Sequence, residues 1–173
     1  MSRNFVYFIR IVRTMNRMIR AYSKIKRKKD WGLDPDITKF NPTLTGALDD
    51  LPADLAITFP TDGSPPWLPS HFIGHLHSYY YLSIILGLRP QLNFLDPNSP
   101  DGLWKSHMML SYSSAKALCR IQESMLQSFG LSGLRCMQRG ISFTIYAILG
   151  CLVLHLVRPL QTKIYHDAIL TNI

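Results

Sequence analysis

Glutamate is nearly missing from this chain: Glu123 is the one glutamate among 173 residues. Acids of either kind are absent before Asp30 and again from Gly63 to Leu95. That scarcity argues against paired-carboxylate acid–base chemistry, which needs two acids held across one site. It also removes the carboxylate from any H-E-x-x-H logic. Cysteine is scarce too. Cys119, Cys136 and Cys151 form no C-x-x-C pair and no Cys/His ligand spacing. They read as buried, reduced thiols of an intracellular protein. No glycine-rich phosphate loop or dinucleotide fingerprint occurs. Gly130-Leu131-Ser132-Gly133 brings its second glycine one residue too early for a nucleophile elbow. Ser113-Ser114-Ala115-Lys116 matches S-x-x-K, but no companion motif goes with it. The N-terminus has no secretory core, because arginines interrupt its apolar residues. Strand-period alternation and internal repeats are absent as well, so the expected fold class is all-α.

What is present is uneven charge and long apolar helices. Apolar residues make up 47% of the chain, enough for a core, and its net charge is +8. Ten of the nineteen Lys and Arg precede Asp30, which leaves the rest of the chain slightly acidic. Residues 1–29 read as a basic amphipathic helix. Phe5, Phe8, Ile9, Val12, Met15, Ile19 and Tyr22 lie on one face, and Arg10, Arg13, Arg17, Arg20 and Lys24 on the other. Such an arm resembles a targeting segment, and Lys26-Arg27-Lys28-Lys29 a nucleic-acid or import patch. Residues 30–69 are a turn-rich connection with one short helix near Pro42–Leu51, started by Asn41.

Pro65–Leu92 is the central stretch. A proline strap leads to Ser70, a natural N-cap. A helix follows that grows apolar on all sides, as a fully buried helix does. Arg89-Pro90 is expected to end it. His71 and His75 stand at i and i+4 with His77 nearby. A metal site needs a third ligand, and the expectation is buried polar groups rather than a metal centre. A second helix runs from Pro100 to about Phe129, with Trp104, Met108, Tyr112, Ala115, Leu118, Cys119, Met125 and Leu126 as its apolar stripe. Leu134–Val157 forms a third, uncharged from Ile141 onward. That uncharged run sits at the short end of membrane-span length, about 17–25 residues. A buried core helix is the favoured reading, with a small membrane protein spanning 141–157 as the alternative. Residues 70–158 thus make the helical core, and 159–173 a tail. The expected structural core is Trp67, Tyr80, Leu82, Ile85, Trp104, Leu118 and Ile145, with Arg89 closing the central helix.

Two long segments carry a family resemblance. Ser64-Pro65-Pro66-Trp67 with LPSHFIGHLHSYYYLSIILGLRPQL is one. The other is WKSHMMLSYSSAKALCRIQESMLQSFGLSGLRCMQRGISFTIYAILGCLVLHLV. Together, over roughly Phe5 to Val157, they resemble the fungal-specific transcription factor regulatory domain. This is the middle homology, or xylanolytic activator regulatory, region of zinc-cluster regulators. The wording is most similar to activators of cutinase, fatty-acid and acetate utilisation. The resemblance implies a nuclear, non-catalytic, all-helical regulatory portion of a regulator of metabolic genes. In the family a six-cysteine zinc cluster reads DNA. This chain lacks that C-x2-C-x6-C spacing, so zinc and DNA contacts are implied only for a missing segment. No cofactor, metal ligand or DNA-contact residue is assigned here. Homodimerisation or co-regulator contacts are the partners implied, a membrane is not, and the chain reads as a fragment of a longer regulator.

Overall fold

The computed structural model describes residues 3–24, 44–96, 98–136 and 142–154. They form four helices and no strand: α1 (Arg3–Lys24), α2 (His71–Phe94), α3 (Leu103–Arg135) and α4 (residues 142–154). A 3-10 turn at Ala53–Leu55 lies in the connection before α2. The fold is all-α. Asn41, Pro42, the Lys26–Lys29 cluster and the 159–173 tail lie outside the described residues.

Helix α2 is the centre. Its ridge Leu76, Tyr80, Ile84 and Leu88 recurs every four residues and packs against Ile11 and Met18 of α1 and against Leu44. Leu82 and Ile85 point away from that ridge, toward Ala115 and Leu118 of α3 and Ala147 and Cys151 of α4. A third cluster joins Leu68 to Ile121, Met125 and Leu134. The α1 contact is close: a Cβ on Gly87 would lie 2.5 Å from Met18 Cε. Glycine is what allows the backbone of α2 to approach there.

Ser70 caps α2 as its sequence predicts, its Oγ accepting from the Ile73 amide at 3.4 Å. The other end differs from expectation. Arg89 is exposed, and the helix runs through Pro90 to Phe94. Proline removes the amide that would bond the Leu86 carbonyl, and its ring crowds that turn. Side chains compensate one residue along. The Tyr22 hydroxyl of α1 donates to the Gly87 carbonyl, which also accepts from Gln91 Nε2 at 3.3 Å. Gln91 Nε2 donates in turn to the Tyr22 oxygen at 2.9 Å. A donor from a neighbouring helix thus supports the turn that proline weakens. At the helix end, Trp104 Nε1 donates to the Leu92 carbonyl at 3.2 Å.

Tyr80, Leu82, Ile85, Trp104 and Leu118 are buried. Trp67 and Ile145 are not, at 78% and 53% exposure. Burial alternates along the strap at 66–69. Pro66 and Leu68 go inward, which turns Trp67 outward. In α4 the inward row is Thr144, Ala147 and Cys151, and Ile145 falls off it. Helix α4 is therefore one-sided rather than buried all round: Tyr146, Ile148, Leu149, Leu152 and Val153 are also exposed. Leu134 and Arg135 belong to the last turn of α3, not to α4. In α1 the buried row is Ile11, Met18 and Ala21, and Phe5 and Ile19 lie outside. The buried row of α3 takes in Ser111, Ser114, Ile121 and Gln122, whereas Leu126 is exposed. None of the three cysteines forms a disulfide. Cys151 is buried, but Cys119 and Cys136 are exposed, because they fall at the edge of α3 and beyond its end.

Helix α3 breaks at Gly130, whose φ of 61° and ψ of −164° are non-helical. Arg135 and Gly133 therefore follow a change of direction.

Two substitutions test this packing. Tyr22→Phe is expected to lower unfolding stability by about 1 kcal/mol, the usual net value of such a hydrogen bond, in urea melts. Leu82→Asp places an unpaired charge in the α2–α3–α4 core and is expected to abolish cooperative unfolding and most helicity in circular dichroism.

Candidate functional site

His75, His77, Ser78 and Tyr80 of α2 are buried, and each hydrogen-bonds to a partner outside its own helix. His75 Nε2 lies 2.9 Å from the Gly133 carbonyl, and His77 Nε2 lies 2.8 Å from the Leu55 carbonyl. A carbonyl only accepts, so both Nε2 atoms carry the proton and donate. Gln122 Nε2 donates to Ser78 Oγ at 2.9 Å, and the Tyr80 hydroxyl donates to the Thr45 carbonyl at 2.5 Å. Burial pushes the His75 and His77 pKa values down, opposed in part by those carbonyls. Burial raises Tyr22, Tyr79 and Tyr81, and carries Tyr80 up to about 12.

The structure brings a third side chain to the histidine pair. Cys136 Sγ is 3.1 Å from His71 Nδ1 and 3.3 Å from His75 Nε2. Sequence spacing could not show this, since Cys136 is 65 residues from His71. The trio does not make a metal site. His75 Nε2 carries a proton committed to Gly133, so it has no lone pair to offer. The Cys136 thiol donates to the same carbonyl at 3.1 Å. Desolvation raises its pKa, the opposite of an activated thiolate. No group of three or more His, Cys, Asp or Glu among the described residues is arranged to hold a metal.

A second site lies at the other end of α2. Ile85, Arg89 and Leu92 of α2 share one face at i, i+4 and i+7, and so do Trp104, Met108 and Ser111 of α3. Tyr146, Leu149, Gly150 and Val153 of α4 complete a three-sided wedge around a cavity of about 350 Å³. Among the described residues its lining is apolar except for Arg89, Ser111 and Tyr146, and includes no carboxylate. The Trp104 N–H is already used on Leu92, so this residue offers the cavity its ring alone. Ser111 Oγ is fully buried with no hydrogen-bond partner among the described residues. Of these residues the sequence marked Ile85, Arg89, Trp104 and Met108 as scaffold only. Ser111 carried no signal beyond its place one face-repeat from Trp104.

The cationic face of α1 is where its periodicity places it: Arg10, Arg13, Arg17 and Arg20 are exposed. Arg10, Arg13 and Arg17 border a shallow depression with Gly46, Ala47 and Asp50. No helix among the described residues is long and apolar enough to cross a membrane. Residues 141 and 155–157 of the alternative span lie outside those described.

The titrating groups set a pH window for stability. The fold prefers neutral His75, His77 and His107, whose pKa values burial lowers. The unfolded chain therefore binds more protons as pH falls below the ordinary value of 6.5, and stability is lost in that direction. Tyr80, which is buried, and the half-buried Tyr22, Tyr79 and Tyr81 prefer the neutral phenol. Their stabilisation is complete below the ordinary value of 10.0 and declines as pH rises above it. Melting temperature is expected to be highest between those limits, and His77→Gln is expected to flatten the acid limb.

No family model, no curated protein and no solved structure matches this chain.

Proposed function

We propose that this chain is the non-catalytic regulatory portion of a transcription regulator that controls metabolic genes. The reading rests on the long resemblance quoted above, and one packing observation supports it. The segments that carry the resemblance hold one another. Arg120 of α3 donates through Nε to the Ser64 carbonyl at 3.0 Å and through Nη2 to the Pro60 carbonyl at 2.7 Å. Ser124 Oγ donates to the Pro66 carbonyl at 2.6 Å. The Ser64–Trp67 strap, α2 and α3 thereby form one mechanical unit, as the parts of a regulatory scaffold would. Arg120 also lies 5.0 Å from the Phe59 ring centroid, a cation–π contact that fixes its guanidinium. In this reading the module acts by presenting or covering surfaces for a second copy or for co-regulators. DNA recognition and zinc would belong to a separate zinc-cluster segment, and the working compartment is the nucleus.

The test fuses the full chain to an unrelated DNA-binding domain in a fungal cell that carries a matching reporter. Reporter output is expected to change with carbon source. Arg120→Ala, which releases the strap, is expected to erase that response while protein level is maintained. A constant reporter signal, together with retention of the tagged chain in a carbonate-washed membrane pellet, would replace this reading with the membrane alternative.

A further inference from the structure

We propose that Cys119 of α3 and Cys151 of α4 are a peroxide-oxidised pair, whose product is a disulfide that clamps α4 onto α3. This rests on the α3–α4 contact alone and holds whether or not the chain is part of a regulator. The two residues are far apart in sequence and belong to no cysteine motif, so only the fold brings them together. Ala115 and Cys119 stand at i and i+4 on α3, and Ala147 and Cys151 at i and i+4 on α4. Both alanines are fully buried in the core that the two helices share. Packed helix axes lie about 8–10 Å apart, depending on the side chains between them, whereas a disulfide needs Cα atoms within about 7 Å. Small residues on both sides of the seam permit that approach. Cys151 Sγ reaches the Ala115 carbonyl at 3.5 Å, one turn before Cys119. The Cys119 and Cys151 thiols also hydrogen-bond to each other.

The pair is asymmetric, and that gives each sulfur its role. Cys119 is exposed and meets an oxidant first, while Cys151 is buried. The bond to Cys119, and then burial, pushes the Cys151 thiol up, so it stays protonated and inert toward dissolved oxidant. A hydroperoxide is the oxidant. The Cys119 sulfur, as thiolate, attacks a peroxide oxygen; the O–O bond breaks, and the departing oxygen takes a proton and leaves as water or an alcohol. The sulfur has lost two electrons and is now a sulfenic acid. The Cys151 sulfur then bonds to the Cys119 sulfur as the S–O bond breaks, and its proton leaves with the hydroxide as water. One peroxide is consumed per disulfide. Cys136 has no thiol beside it, because its sulfur faces His71 and His75. Helix α4 meets the core through one row, Thr144, Ala147 and Cys151, so a link at Cys151 fixes that helix covalently.

The experiment treats the full, reduced chain with a slight excess of hydrogen peroxide, blocks remaining thiols by alkylation, and reads intact and peptide masses. The expected product has lost two hydrogens, keeps one alkylatable thiol, and yields a non-reduced peptide pair that joins Cys119 to Cys151. It is expected to form at least about tenfold faster in the folded chain than in concentrated urea, the effect of holding the reactants together. Melting temperature is expected to rise by about 5–10 °C and to return when a dithiol reductant is added. Cys151→Ser is expected to stop at a Cys119 sulfenic acid, trapped by dimedone, whereas Cys136→Ser leaves the cross-link intact. Cys151→Ala keeps this readout if the serine variant fails to fold. Cys119 left unlinked in the unsubstituted folded chain, whether unreacted or as a sulfinic acid, would overturn the proposal. So would a link from either residue to Cys136, a link that forms no faster in the folded chain, or one that leaves the melting temperature unchanged.

Discussion

A helix enclosed by other elements must dispose of its polar side chains inside the protein, and α2 does so by pairing them with its neighbours. His75, His77 and Tyr80 each donate to a carbonyl in a turn or a helix exit, at Gly133, Leu55 and Thr45. Such carbonyls lack the regular ladder of a helix interior, so each bond satisfies two groups that would otherwise be costly to bury. The central helix thus fixes the connections around it as well as the helices. Remove one of these donors and a distant loop loses its anchor.

Proline and glycine in α2 follow the same rule. Pro90 leaves a weak turn, and the partner that supports it is Tyr22, 65 residues from Gly87. Gly87 is also where Met18 presses closest. One short stretch of α2 therefore carries both the Met18 contact and the Tyr22 hydrogen bond from α1. Arg89 sits on the opposite side of that stretch, facing the wedge with α3 and α4. The same turns bear the contact with α1 and one wall of the cavity.

Features decided within a few residues were legible in the sequence. The Ser70 cap, the burial of Tyr80, Leu82 and Ile85, and the all-helical class follow from local spacing and composition. Features decided by distant partners were not. Pro90 reads as a stop unless Tyr22 is known to stand beside it. Trp67 reads as core because it is large and apolar, yet it faces out because Pro66 and Leu68 claim the inward side. Ile145 sits in an uncharged run whose inward row could not be chosen by hydrophobicity, since every face of it is apolar. The candidate sites show the same split. The i, i+4 histidines were visible, but neither Cys136 nor the Gly133 carbonyl was. The cavity has no sequence signature at all, because it arises where three helix faces fail to fill the space between them.

Gly130 carries a constraint of a different kind. A side chain there would meet nothing within 4 Å, so by contact alone the position looks free to vary. Its φ of 61° and ψ of −164° nevertheless lie in a region essentially reserved for glycine. Any other residue would swing the backbone after Phe129 onto another course and carry the Gly133 carbonyl away from His75. Scanning mutagenesis that ranks positions by crowding would score this site as neutral. Its intolerance comes from direction, and one residue with open space where a side chain would go sets where the end of α3 arrives.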